Sequence, residues 1–341
     1  MSMRGNTGNA TNTAARRQVW LARIVQALVL LALVAGFAAL VGHALDVLRA
    51  RGVRSGFDFL LQPAGFQIGE GWLPFESEQP LWRAFAAGLV NTLRAAVPAA
   101  LLAVGLGILL GIGRLTPHIL LRGLCTSYVE AVRNVPLLVQ LLMFYFALAQ
   151  LLPDAADALH PIPGVWLSKS GLTVPWPLWE GAGWWPSSVD WPERSSFNVS
   201  GGAALTPEYL AIVLALGLYT ASFVAEAVRA GIQSVSAGQV LAGQSMGFSP
   251  LQQLRFVVLP QALRVIVPSL TNLLLSLTKN SSLAVAVGYP ELVSVANTAL
   301  NQTGRAFECI AVVMLVYLLL SLLIAAAMNR YNARVALRGW Q

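Results

Sequence analysis

VLAGQSMGFSPLQQLRFVVLP, residues 240–260, is the stretch on which the reading of the whole chain turns. It is the longest polar break between two membrane-length apolar segments on the side where the arginines gather. Just ahead of it, Ser236 and Gln239 make an S-x-x-Q pattern, which predicts a short helix starting there through a capping box. Gly247 followed by Phe248 predicts its stop, a left-handed residue and then an apolar one. Ser249, Pro250 and Gln252 restart a helix with the same box and with proline in its first turn. Two short helices joined by an elbow are therefore expected at a membrane face. On the first, Val240, Leu241 and Phe248 give a narrow apolar side, while Gly238, Ala242 and Gly243 admit a second backbone. A partner protein can take such a helix into a groove. An ordinary loop lying on the headgroups is the plain alternative.

Composition supplies the setting. Of 341 residues, 56% are hydrophobic and 11% charged, with a mean hydropathy of +0.65. A soluble domain carries about 25% charged residues. The class expected is an all-α, polytopic membrane protein. The net charge of +7 reflects scarce acids as much as abundant bases, and no basic run points to nucleic acid. Cys125 and Cys309 stand far apart in or beside apolar runs and read as packing residues, neither metal ligands nor an assured disulfide. A phosphate-binding loop needs lysine directly after glycine. The two lysines, Lys169 and Lys279, follow Ser168 and Thr278. Any nucleotide that drives this chain is bound elsewhere, and neither a catalytic nor a metal-binding residue set is expected in it.

Six spans are expected, roughly 21–41, 85–112, 128–151, 209–230, from Pro260 to Leu277, and 309–328. Residues 1–19 are polar and acid-free and read as a disordered tail; the membrane-spanning body covers 20–330, and 331–341 form a second tail. Arg16-Arg17 ahead of an apolar run resembles an export signal, but the run is longer than a signal core of about 7–15 residues and no small-residue cleavage site follows it. Acids collect in 43–82 and 153–207. The first of these contains FDFLLQPAGFQIG, apolar enough to lie on the membrane surface. The second mixes prolines with Trp166, Trp176, Trp179, Trp184, Trp185 and Trp191, and reads as an irregular insertion with its tryptophans at headgroup level or packed in a small cap. Gly107 and Gly111 make a G-x-x-x-G pair suited to close helix packing. Arginines with few acids mark the N-terminus, the Arg114 loop, the 255–264 region and the tail. Arg49, Arg51 and Arg54 count the other way, in a longer loop balanced by acids. The majority places both termini and loop 234–260 in the cytoplasm.

Polar groups inside spans are costly and mark candidate function. EAVR occurs twice, as Glu130 to Arg133 and Glu226 to Arg229, each acid able to pair at i, i+3 on its own helix. Exchange of partners between helices would close an inner gate; interfacial snorkelling is the bland reading. Asn272, Ser276 and Lys279 share one helical face that continues into Asn280, Ser281 and Ser282. A lysine among amides and hydroxyls suits a ligand bearing a carboxylate and an amine, so these residues, with Thr220 and Ser222 beyond Tyr219, are the expected substrate path. Interhelical hydrogen bonding, worth about 0.6 kcal/mol each, is the alternative.

Leu241-Ala242-Gly243, three residues, Gly247, nine residues, then Val257-x-Leu259-Pro260 resembles the coupling-loop signature of ABC-importer permeases, E-A-A, three residues, Gly, nine residues, I-x-L-P. Leu241 stands where that family has glutamate, and Gly243 where it has alanine. With AGLVNTLRAAVPAALLAVGLGILLGIGRL, YVEAVRNVPLLVQLLMFYFAL, LGLYTASFVAEAVRAGIQSV, LPQALR and LTKNSSLA in order, the chain resembles the polar amino-acid permease family of binding-protein-dependent importers. Its added first span and FDFLLQPAGFQIGEGWLPFE resemble the general L-amino-acid permease subgroup. The resemblance implies a five-helix type I importer core, about 85–330, plus one N-terminal helix. It implies Val240, Leu241, Ala242, Gly243, Gly247, Phe248, Leu259 and Pro260 as the coupling elements. It further implies a bacterial inner-membrane, multi-pass location, a second related permease subunit, an ABC ATPase dimer holding ATP-Mg, and a periplasmic amino-acid-binding protein, with no cofactor in this chain. The rivals are an ion-gradient-driven secondary transporter or channel, drawing on Glu130 or Glu226, and a scaffold subunit with no path.

Overall fold

The computed structural model describes residues 8–50, 56–179, 185–195 and 198–337. Arg51, Arg54 and Trp184, named above, lie outside the described residues. The chain divides into two compact units, Met1–Phe57 and Asp58–Gln341. The first holds α1 (Gly8–Ala50), whose Arg23–His43 portion is long and apolar enough to cross a membrane. Residues 8–19, expected to be disordered, continue this helix. Once a helix exists, each added residue without proline gains a hydrogen bond and needs no new nucleus.

The second unit begins with a 3₁₀ turn, Asp58–Leu61, and continues as α2 (Leu81–Gly113), α3 (Ile119–Asn134) and α4 (Leu137–Leu151). Eight short strands follow: β1 (Leu159–Ile162), β2 (Val165–Ser168), β3 (Gly171–Val174), β4 (Trp176–Leu178), β5 (Ser188–Asp190), β6 (Glu193–Arg194), β7 (Val199–Ser200) and β8 (Ala203–Leu205). Then come α5 (Pro207–Gln233), α6 (Ala237–Ser245), α7 (Pro250–Gln253), a π turn over Leu254–Val258, α8 (Leu259–Asn280), a 3₁₀ turn over Ser281–Val287, α9 (Leu292–Thr303) and α10 (Ala306–Leu337). Five of the described helical segments are long and apolar enough to span, six if the bent pair α3–α4 counts as one.

Helix α5 is the centre. It packs along α2 and also meets α3, α4 and α8, while α9 and α10 close the flank of α2 and α8. Glycine sets the α2–α5 approach. A Cβ on Gly107 would lie 2.5 Å from Val224 Cβ, and one on Gly111 would lie 2.8 Å from the Ala225 carbonyl oxygen. No real Cβ tolerates such distances, so α2 and α5 touch backbone to side chain as G-x-x-x-G pairs do. Gly111→Leu is expected to cost at least the 1–3 kcal/mol or so of an overpacked core. The check is a lower unfolding temperature of the purified chain; an unchanged one refutes this packing.

Proline decides the breaks. The span expected over 128–151 is not continuous: α3 and α4 meet at 103° across Val135-Pro136. Proline excludes the residue before it from helical backbone, and Val135 is extended at φ −104°, ψ 128°. The buried Gln140 amide donates to the carbonyls of Val132 (2.8 Å) and Val135 (2.9 Å), satisfying the end of α3 that the bend strands. At Pro260 the outcome is milder. Its missing N–H and its ring deny the Phe256 carbonyl a regular partner, and the helix widens into the π turn immediately before it. So α7 and α8 form one long rod, Pro250–Val287. The second short helix expected at the elbow is the foot of that rod.

Two loop expectations also change. FDFLLQPAGFQIG is held partly by the bundle: its Phe59 and Ala64, with Phe75 beyond it, are buried with Leu81 and Phe85 of α2, Leu292 and Val295 of α9, and Cys309, while its Phe57 and Leu61 are exposed. The 153–207 insertion is a β cap. Strands β1-β2-β3-β8 form one antiparallel sheet, with β4-β5 and β6-β7 as separate pairs. Trp166 stacks on His160 and its indole N–H donates to the Pro192 carbonyl, whereas Trp176, Trp179, Trp185 and Trp191 remain exposed. Strands of two to four residues are too short to show a period of two. Helix α9, with the fully buried Glu291 capping it through Ser294 N–H at 2.8 Å, had no expected counterpart.

Candidate functional site

The elbow is built from its own backbone. Helix α6 ends in a Schellman motif: Phe248 N–H donates to Gly243 O (3.1 Å) and Gly247 N–H to Gln244 O (2.9 Å), with Gly247 at φ +77°. The box at Ser249 forms as expected, Gln252 N–H to Ser249 Oγ at 3.4 Å and Ser249 N–H to Gln252 Oε1 at 2.8 Å. The box at Ser236 does not form, although α6 starts there, because the Gln239 side chain accepts from Gln261 of α8 instead. Buried Gln253 reaches back from α7 and donates to the Val240 carbonyl. Gly243 lies against Gln253 and Val257, which is where its small size is used. Gly238, by contrast, faces open space. Val240 and Phe248 are half-buried, and Ala242 is exposed. Leu241, exposed at 59%, projects outward, as do Met246, Leu251, Leu254 and Phe256. Leu259 and Pro260 open α8. Gln253 and Gln261, which tie the lever to the rod, had no predicted role; an amide two turns from a predicted cap is too common a signal to single out.

Of the two EAVR copies, only the second pairs internally. Glu226 accepts from Arg229 and, at 2.5 Å, from Arg114 at the end of α2. Arg133 lies 4.9 Å over the Phe223 ring, and Glu130 is exposed on α3. The cross-helix partner of Glu226 is thus Arg114, read in the sequence only as a topology marker.

The α8 polar set divides. Asn272, Ser276 and Lys279 are exposed along one face; Asn280 and Ser282 are half-buried. Ser281 is buried and donates to the Thr278 carbonyl. Thr220 and Ser222 are buried within α5 packing, Ser222 donating to the Tyr219 carbonyl at 2.6 Å.

The opposite end of the bundle carries a network that sequence reasoning missed. Glu70 accepts from Arg94 at 2.9 Å and from Thr206 at 2.6 Å, joining the 58–80 segment to α2 and to the cap residue of α5. Arg94 also lies 4.6 Å over the Tyr209 ring. Pro98 cannot donate to the Arg94 carbonyl, and the Tyr209 hydroxyl takes that place at 3.2 Å. Burial pushes the Glu70 carboxyl above the ordinary carboxylate range, against the opposing pull of Thr206 and Arg94.

Similar proteins are known. The pattern of the family described as "binding-protein-dependent transport system inner membrane component" matches residues 103–337. The general L-amino acid transport system permease protein AapQ of Rhizobium johnstonii is 36% identical over 356 residues, covering 89% of each chain. The glutamate/glutamine/aspartate/asparagine transport system permease protein BztB of Rhodobacter capsulatus is 33% identical, covering 92% of this chain and 93% of its own. A crystal structure of an amino acid ABC transporter with histidines shares the fold, with a TM-score of 0.54 at 24% identity over 74% of this chain and 94% of that one. The matched pattern spans most of the bundle and the whole elbow, so the chain belongs to the family of binding-protein-dependent transport system inner membrane components.

Proposed function

We propose that this chain is the amino-acid permease subunit of an ATP-driven importer, with both termini and the α6 elbow in the cytoplasm. The observation that carries the reading is α6 itself. It is closed at one end by Gly247, tied to the rod by Gln253 and Gln261, and presents Leu241 outward with no cover among the described residues. A lever that is stiff at its root and apolar at its tip suits a groove on a separate motor. Leu241 in place of the family's glutamate makes that contact apolar rather than charged. An ATPase dimer hydrolysing ATP-Mg drives the lever, a second related permease completes the path, and a periplasmic amino-acid-binding protein delivers the substrate. The 58–80 segment and the β cap then face the periplasm, in line with the arginines at the other end.

Asn272, Ser276 and Lys279 are the side chains best placed to line the path, since they are exposed along one face of α8. Glu226 with Arg114 and Arg229 forms the inner gate. The ion-gradient alternative needs an intramembrane carboxylate open to an ion; two guanidiniums already hold Glu226, which leaves it Glu130, exposed on α3. The test is uptake in vesicles containing the co-purified complex. Transport driven by internal ATP and lost when the ATPase subunit is omitted supports the proposal. Transport by this chain alone on a proton or sodium gradient overturns it. Lys279→Met is expected to raise the KM for uptake about tenfold, the loss of one charge-assisted hydrogen bond; an unchanged KM removes Lys279 from the path.

A further inference from the structure

At the α6 end of the bundle, the end of α2 with α3 and α5 borders an open cavity of about 470 Å³ lined by Arg114, Arg122, Thr126, Ser127, Arg229 and Gln233. Three guanidiniums meet there, and one carboxylate, Glu226, answers two of them. The local balance is therefore about two positive charges in excess. One donor is left over as well: Nε of Arg114 is buried and has no hydrogen-bond partner. A buried N–H without an acceptor keeps its desolvation penalty and is ready to meet one. Hydroxyls of Thr126 and Ser127 add neutral donors to the same wall. Beside the mouth, Ile119, Leu120 and Leu124 of α3 turn large apolar surfaces outward.

We infer that this cavity binds a phosphate-bearing anion, supplied by the headgroup of an anionic phospholipid. Planar guanidiniums pair with two phosphate oxygens at once, and hydroxyls fill the remaining lone pairs. An excess of two charges suits a phosphodiester better than a neutral or zwitterionic group. The volume accommodates a glycerophosphate headgroup, and the apolar rim of α3 gives its acyl chains a surface to lie on. The inner-membrane family places a bilayer around this bundle. Free phosphate shares the headgroup chemistry but has no use for the rim.

The test uses the full chain, purified and delipidated in detergent, then mixed with micelles of phosphatidylglycerol or phosphatidylcholine, or with inorganic phosphate alone. Native mass spectrometry counts what remains bound. Selective retention of phosphatidylglycerol supports the inference. Arg122→Gln is expected to weaken that retention about fivefold, the value of one basic side chain at a headgroup. Gly123→Glu should act in the same direction without removing any contact, because a Cβ there meets open space. Retention of inorganic phosphate that displaces the lipid supports the site and assigns it to the free anion. Equal retention of both lipids with no phosphate bound, or wild-type retention in both variants, overturns it. None of these readouts depends on transport, so the inference stands or falls separately from the proposed function.

Discussion

Gly247→Val is expected to lower uptake at least tenfold while the protein inserts at its normal level and the motor continues to hydrolyse ATP. The residue sits at φ +77°, and a Cβ added to it meets nothing within 4 Å. Crowding is therefore not the cause; the backbone is. A non-glycine residue held in the left-handed region costs about 1–3 kcal/mol, and β-branching makes it worse. Helix α6 has nine residues, too few to be stable without its stop and its ties. When the Schellman bonds fail, the last turn unwinds, Phe248 leaves its place near Phe256, and a push on Leu241 is absorbed before it reaches α8. Gly247→Asn, which tolerates this backbone, should retain most of the uptake. Uptake by the valine variant at the wild-type rate would sink the lever account.

The second large effect is expected at the other end. Removing the Glu70 side chain leaves Arg94, only 8% exposed, without its counter-charge, and Thr206 without its acceptor. Breaking one partner out of a buried pair costs about 3–5 kcal/mol, since the remaining charge keeps its desolvation penalty. Glu70→Ala should therefore lower the unfolding temperature of the purified chain by roughly 5–10 °C. Glu70→Gln keeps an acceptor for Thr206 and should lose less. If both variants unfold with the wild type, the 58–80 segment is not bolted to α2 and α5 in this way.

Much of the molecule was legible without coordinates. Span-length apolar runs, the glycine stop at Gly247, the capping box at Ser249 and the close-packing glycines of α2 are local rules, each set by a few neighbouring residues, and the structure carries them. The misses share one physical origin. Gln239 matches half of a capping box, but its partner is Gln261, a residue of α8. Glu226 makes the expected local pair with Arg229, but its second partner, Arg114, comes from the end of α2. Phe59, in a stretch apolar enough to lie on a membrane surface, packs in a cluster with α9 instead, which nothing in the sequence reveals.

What the sequence by itself determined is the periodic and the covalent: membrane-length hydrophobicity, proline's missing donor, glycine's left-handed freedom, and the order of motifs that marks the family. Only the tertiary structure decided which way each polar side chain turned. It divided the α8 face into exposed Asn272, Ser276 and Lys279 and buried Ser281, bent α3 from α4 by 103°, and joined Glu70 to Arg94 across 24 residues. The reason is that backbone rules act within a turn or two of the chain. A buried charge or amide takes whichever partner packing brings within about 3 Å, and that partner can come from anywhere in the chain.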